Sequence, residues 1–345
     1  RRGPALCVWC MPPRYREAVR PKDQPILATD LAGLALQSPL IAAAGTAGTL
    51  DELADVLDLG DLGAITTKSI TREPREGNQP WRITGLPAGM LNAIGLANPG
   101  VDAFVAGHAP RIAAMPCRVI CSVAGNAIDD YAHVADRLSK LDAVAGVELN
   151  VSCPNVHGGS DFATDAAALA DLVRAVRPLL PSKRLIVKLA PLVMGTPSIA
   201  DAARAAIDPG KSSPAGPNSR PGADALTIAN TVPAMAIDVH TREPILTNTT
   251  GGLSGPAIHP ITLKLVRDAY VAVCRDSQTP IIAAGGTSNW QSAAAYILAG
   301  ATALQLGTSL FADPRTPRRI AKGLADWVRT QGEPSLAALT GALRV

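Results

Sequence analysis

Short apolar runs recur along the chain, separated by stretches of helical spacing. The runs at residues 39–44, 63–67, 118–123, 146–151, 185–190, 225–229, 280–284 and 302–306 are rich in aliphatic residues and too short for helices, which predicts eight strands. Between them, residues 51–59, 101–114, 129–141, 165–179, 199–207, 260–273, 290–299 and 315–330 carry apolar positions in helical register, as Leu169, Leu172, Val173 and Val176 show. Several helices open on a capping residue, with Thr164 before Asp165 and Ser198 before Ile199. Strand and helix alternating about eight times predict an α/β fold, a (β/α)8 TIM barrel rather than an open doubly wound sheet. Neighbouring strands would be parallel and joined by right-handed crossovers.

Four segments fall outside this repeat. Residues 26–31 and 34–36, joined around Gly33, predict a hairpin at the bottom of the barrel. Residues 1–25 are rich in Arg and Pro and predict a flexible leader, leaving residues 26–345 as one barrel domain. Residues 69–96 form a long top-face loop between the second strand and its helix, a wall or lid. Residues 208–222 are a low-complexity insertion that precedes a strand, which puts it on the bottom face. Its Gly210-Lys211-Ser212 lacks the upstream glycine and the strand-to-helix context of a phosphate loop.

Composition narrows the partners. The 345 residues are 47% hydrophobic with a net charge of +3, enough for one large core. Aromatic residues make up only 3% and the basic residues are dispersed, so neither a stacking platform nor a charged stripe for nucleic acid is present. No apolar run approaches the ~20 residues of a membrane span, which predicts a cytoplasmic protein. Cysteines at 7, 10, 117, 121, 153 and 274 are too scattered for a disulfide framework and suit a reducing compartment. Cys7 and Cys10 have metal-site spacing but no second pair follows, so no metal is expected. Cys117 and Cys121, at the ends of a strand, read as packing residues.

Chemistry-bearing residues gather at the strand ends. The strand 146–151 runs into Ser152-Cys153-Pro154-Asn155, and Pro154 biases Cys153 towards extended backbone. Most lone cysteines are buried small hydrophobes, but a thiol between the carboxamides of Asn150 and Asn155 is placed as a proton acceptor beside a planar polar ligand. Lys68 ends the second strand, Lys188 the fifth, and Asn230 with Thr231 the sixth. Gly285-Gly286 and Gly307-Thr308 end the seventh and eighth, where bare backbone lets a phosphate approach. In a barrel all of these enter one top-face pocket. Two lysines beside a phosphate site suit a cofactor that becomes anionic, and reduced flavin mononucleotide (FMN) meets that demand better than a sugar phosphate.

At these residues the chain resembles the dihydroorotate dehydrogenases. The resemblance is carried by Thr67-Lys68-Ser69, residues 73–78 (EPREGN), residues 92–100 (NAIGLANPG), residues 150–155 (NVSCPN) and residues 251–256 (GGLSGP), in order, within residues 27–332. It implies that Cys153 is the base removing the C5 proton of dihydroorotate while hydride passes from C6 to N5 of FMN, giving orotate in pyrimidine biosynthesis. Substrate would be held by Lys68, Asn92, Asn150, Asn155, Asn230 and Thr231, with Ala93, Ile94, Gly95 and Leu96 lining the same pocket. FMN would contact Gly45, Lys68, Ser69, Asn150, Lys188, Gly255, Gly285, Gly286, Gly307 and Thr308. A cysteine base resembles class I, and residues 230–232, 236–239 and 251–256 look most like the B subtype. That likeness implies a homodimer core and a second subunit carrying FAD and an iron–sulfur cluster that passes electrons to NAD⁺, since this chain shows no NAD fingerprint or cluster cysteines. Ala44, Ala47 and Ser122 depart from the family pattern near the flavin. The rival readings are a dihydropyrimidine dehydrogenase-like barrel, a tRNA dihydrouridine synthase, whose basic face is missing here, and a silent FMN-binding subunit, which would not need Cys153 and Lys68.

Overall fold

Strands that are apolar on both faces need cover on both, which a parallel sheet closed on itself and wrapped in helices provides. The structure, a computed structural model that describes residues 23–152, 162–210 and 220–345, takes that form. Strands β1 (Leu40–Ala42), β2 (Ala64–Thr66), β3 (Arg118–Val123), β4 (Val144–Asn150), β5 (Arg184–Lys188), β6 (Ala225–Ile228), β7 (Ile281–Ala284) and β8 (Ala303–Leu306) follow one another around a closed barrel. Each is parallel to its neighbours, and β8 pairs with β1. Outward residues such as Val147, Leu149, Val187 and Leu226 pack with the helices in the main core.

Along the inward faces the character of the side chains changes every second residue. At the bottom, Ile41, Ala64, Ile120, Ile186, Ala225, Ile282 and Ala303 form a separate apolar core with Leu31, Leu34 and Leu36. These leucines come from the predicted hairpin, Thr29–Leu31 with Leu34–Leu36, which plugs the barrel from below. Two residues higher on the same faces stand Thr66, Ser122, Glu148, Lys188, Thr227 and Gln305, all buried. The ends of the strands then open into the top face.

Several expectations are corrected. The stretch 51–59 is not a helix but two 3₁₀ turns, Glu52–Asp55 and Leu59–Asp61. Here side chains compete with the helix: Glu52 accepts from the amides of Thr49 and Leu50, and Asp58 from that of Gly60. The helix expected over 101–114 breaks into Val101–Gly107 and Ala109–Ile112, because Pro110 has no amide to continue it. Asp165, not Thr164, caps Ala166–Val176, while Ser198 caps Ile199–Ile207 as expected. The hairpin's first strand starts at Thr29 because Gln24–Leu27 is a turn of helix that buries Leu27. Ahead of that turn, Asp23 pairs with Arg329, so residues 23–25, expected in the flexible leader, are ordered chain. Residues 1–22, with Cys7 and Cys10, and residues 211–219 of the predicted insertion lie outside the described residues.

The expected loop 69–96 is a built wall. It contains the strands Ile83–Leu86 and Gly89–Asn92, which join Gly251–Ser254 and Val232–Ala234 in a four-stranded antiparallel sheet over the top face. No helix among the described residues is long and apolar enough to cross a membrane.

Candidate active site

The strand ends and the top sheet enclose a cavity of about 980 Å³, near the upper end of the usual range for ligand sites. Lys68, Ser69, Asn150, Lys188, Asn230, Thr231, Gly285, Gly286, Gly307 and Thr308 all line it, as the order of the strands requires. The top sheet and the loops beside it add Asn92, Ala93, Ile94, Gly95, Leu96 and Gly255, and Gly45 enters from the end of β1. Cys153 and Asn155 lie outside the described residues. The chain on both sides of them, Ser152 before and Phe162 to Thr164 after, lines the cavity.

A polar strip crosses the cavity wall between β2, β4 and β6. Asn150 accepts from Asn230 Nδ2 at 3.1 Å and donates to Ser69 Oγ at 3.3 Å. Ser69 meets Ser122 at 2.9 Å. Tyr131 donates to the carbonyl of Asn150 at 2.8 Å, fixing the strand end from behind. The backbone ladder continues past β6, since the amide of Asn230 donates to Leu189, and this carries Asn230 to the rim. The departures from the family pattern find places here. Ser122 stands behind Ser69, Ala44 lines the cavity, and Ala47 is fully buried.

Residues 93–96, which line the same cavity, form a ribbon held at its back. Asn78 donates to the carbonyl of Ala93 at 2.9 Å, and Asn98 to that of Leu96 at 2.7 Å. Gly95 and Leu96 have φ of +73° and +59°. A leucine in the left-handed region costs roughly 1–2 kcal/mol, which the bracing from Asn98 offsets. Asn92 donates to Gly252 across the sheet at 3.2 Å.

The remaining wall fits a phosphate. Past Gly286 and Thr308 stand Thr287 and Ser309, whose buried hydroxyl oxygens have no hydrogen-bond partner among the described residues. Orphaned buried hydroxyls call for a partner that the protein does not supply. A Cβ on Gly286 would lie 2.8 Å from the carbonyl oxygen of Gly255, so only glycine lets these two loops meet. At Gly45 a Cβ would crowd Lys68 at 3.2–3.3 Å, in a backbone with φ of +78°. An anion of FMN's size and polarity, its phosphate held at the β7 and β8 loops, suits a cavity that is also lined by Lys68 and Lys188.

Among the described residues, the three cysteines lie in surroundings that disfavour thiolate chemistry. Burial pushes the thiols of Cys117, Cys121 and Cys274 up to about 12, so each carries almost no thiolate near neutrality. Iodoacetamide at pH 8 is expected to leave these three unmodified in the folded protein and to alkylate Cys153, as peptide mass spectrometry would read. Labelling of Cys121 ahead of Cys153 would contradict this.

Sequence reasoning missed the layer beneath the cavity. Glu148, Gln305, Thr66 and Thr227 hydrogen-bond to one another, and Gln305 joins them to Lys188. Their signal was a polar residue at an inward position of an otherwise apolar strand, two residues before the strand end or nearer.

Comparison with known proteins agrees with this geometry. The family model for dihydroorotate dehydrogenase matches residues 26–328. Among curated relatives, a protein of Geotalea daltonii named dihydroorotate dehydrogenase B (NAD(+)), catalytic subunit, is 42% identical over 323 residues, covering 93% of this chain and 99% of the relative. One of the same name from Parabacteroides distasonis is 40% identical over 320 residues, 92% of this chain and 98% of the relative. In fold, the chain is similar to the ligand-free type of DHODH from Eimeria tenella, with a TM-score of 0.76 at 23% identity over 94% of this chain and 93% of that one. The subtype in the relatives' names is the one the motifs resemble. From its closed barrel, its ordered motifs and the family model that spans nearly all of it, the chain belongs to the dihydroorotate dehydrogenase family.

Proposed function

We propose that this chain is the catalytic subunit of a B-type dihydroorotate dehydrogenase that holds FMN in the top-face cavity and oxidises dihydroorotate to orotate. The observation that carries the reading is the convergence of Lys68, Asn150, Lys188 and Asn230 on one cavity that is also lined by Thr287 and Ser309, whose hydroxyls have no partner among the described residues. Residues 26–345 act as one catalytic domain in this reading.

Bound flavin supplies the two-electron acceptor that takes hydride from C6. The chain's own residues do the rest. Asn92, Asn150, Asn155, Asn230 and Thr231 hold the flat heterocycle through its amide edges, and the ribbon 93–96 with Lys68 holds its carboxylate end. Cys153 takes the C5 proton on sulfur, and the electron pair of that C–H bond becomes the C5–C6 double bond as hydride leaves C6. The braced ribbon and the hydrogen-bonded strip keep the ring from turning, so that one C–H bond faces the base. FMN would rest on Gly45, Ser69, Lys188 and Gly255, with its phosphate at Gly285, Gly286, Gly307 and Thr308.

The relatives' names motivate the acceptor. We read NAD⁺ as the final oxidant, reached through a second subunit carrying FAD and an iron–sulfur cluster, around a homodimer of this chain in the cytoplasm. Purification with release and identification of the flavin, followed by anaerobic dihydroorotate, tests the reading. FMN that bleaches with dihydroorotate but does not turn over with NAD⁺ alone is the expected result. A protein without flavin, or one whose flavin answers to dihydrouracil rather than dihydroorotate, would defeat it.

A further inference from the structure

Of the polar layer inside the barrel, only Lys188 enters the reaction just described; Thr66, Glu148, Thr227 and Gln305 are given no role in it. Barrel interiors are ordinarily filled by branched aliphatic side chains, yet here Thr66, Glu148 and Thr227 are fully buried, Gln305 is 2% exposed and Lys188 7%. Burying a charged carboxylate is costly unless it is paired and hydrogen-bonded. Glu148 Oε2 accepts from Gln305 Nε2 at 2.6 Å and from Thr227 Oγ1 at 2.7 Å, while Oε1 has no partner among the described residues. Its countercharge stands one amide away, because Gln305 Oε1 accepts from Lys188 Nζ at 2.9 Å. An ammonium group only donates, so the carboxamide must turn its oxygen to Lys188 and its NH₂ to Glu148. The amide is thus fixed from both ends, with its dipole aligned between the two charges. Lys188 in turn lines the cavity.

We propose that Glu148, acting through Gln305, is a positioning residue for Lys188, fixing the ammonium at the cavity floor, tempering its charge and so setting the reduction potential of the flavin. This rests on the flavin reading above. Reduced flavin carries negative charge, so Lys188 favours it and Glu148 opposes it. A scaffolding role alone would give no reason for the two residues to move the potential in opposite directions.

The test is the midpoint potential of FMN bound to the wild type, Glu148→Gln and Lys188→Met, measured by spectroelectrochemistry. Glu148→Gln keeps the shape and an acceptor oxygen but removes the charge. It is expected to favour reduced flavin about tenfold, roughly 30 mV more positive for a two-electron couple, and Lys188→Met to shift it negative. A null or negative shift in the first, or a positive one in the second, overturns the proposal. Should Glu148→Gln not retain flavin, Gln305→Met is expected to shift the potential positive, since the acceptor beside the ammonium is gone; a null or negative shift there, or loss of flavin from that variant as well, overturns it. A wild-type protein that binds no flavin would instead defeat the flavin reading itself, so the two failures are told apart.

Discussion

Cys153→Ser is expected to slow flavin reduction by dihydroorotate about 10²–10⁴-fold at neutral pH, the usual contribution of a positioned base, while leaving FMN bound. The reason is chemical. A thiol yields a usable base near neutrality and a serine hydroxyl does not, and Asn150, Asn155 and Asn230, the carboxamides proposed to hold the ring, are untouched by the change. The variant's rate should keep rising with pH beyond the point where the wild type levels off, because its hydroxyl ionises far higher. Anaerobic stopped-flow at the flavin absorbance reads both effects. Reduction of Cys153→Ser at the wild-type rate would remove the thiol from the mechanism.

A second large effect is expected at the opposite end of the barrel, in stability rather than rate. Arg177 and Asp224 are almost fully buried, at 1% and 3% side-chain exposure, and pair at 2.7 Å. Asp224 also accepts from the amide of Leu185 at 2.7 Å, and Arg177 donates to the carbonyls of Leu180 and Lys183. The pair therefore ties the turn after helix Ala166–Val176 to the first residues of β5 and β6. Arg177→Met leaves a buried carboxylate without its partner, which typically costs about 3–5 kcal/mol. Urea unfolding should show that loss in the transition midpoint, and the additional change Asp224→Leu should recover much of it, because the charge then goes too. A loss under about 1 kcal/mol for Arg177→Met would show that the charge of Asp224 is compensated elsewhere.

The barrel was legible because its strands are short apolar runs and most of its helices, Ala166–Val176 and Thr316–Thr330 among them, keep an apolar face; both signals survive in the sequence without help from distant residues. Residues 51–59 were misread since their apolar spacing is helical while Glu52 and Asp58 bond back to nearby amides, a competition that spacing does not display. The top sheet was missed for a different reason. Its strands include Gly89, Gly251 and Gly252 and lie half exposed, so alternation is faint and the pairing is set by the register across the sheet. Within the cavity, Lys68, Asn150, Lys188 and Asn230 could be placed because each ends a recognisable strand. Glu148 and Gln305 could not be told from chance polar residues until the hydrogen bonds joining five strands were seen.

In the proposed mechanism a sulfur and a flavin ring stand on opposite faces of a flat heterocycle held by carboxamides. A crystal structure of the flavin-loaded protein with orotate bound would show whether they do. Orotate should stack on the isoalloxazine, its ring held by Asn150 and Asn230, with Cys153 Sγ in contact with C5 from the other side. Orotate bound away from the flavin, or C5 facing a side chain other than Cys153, would contradict it.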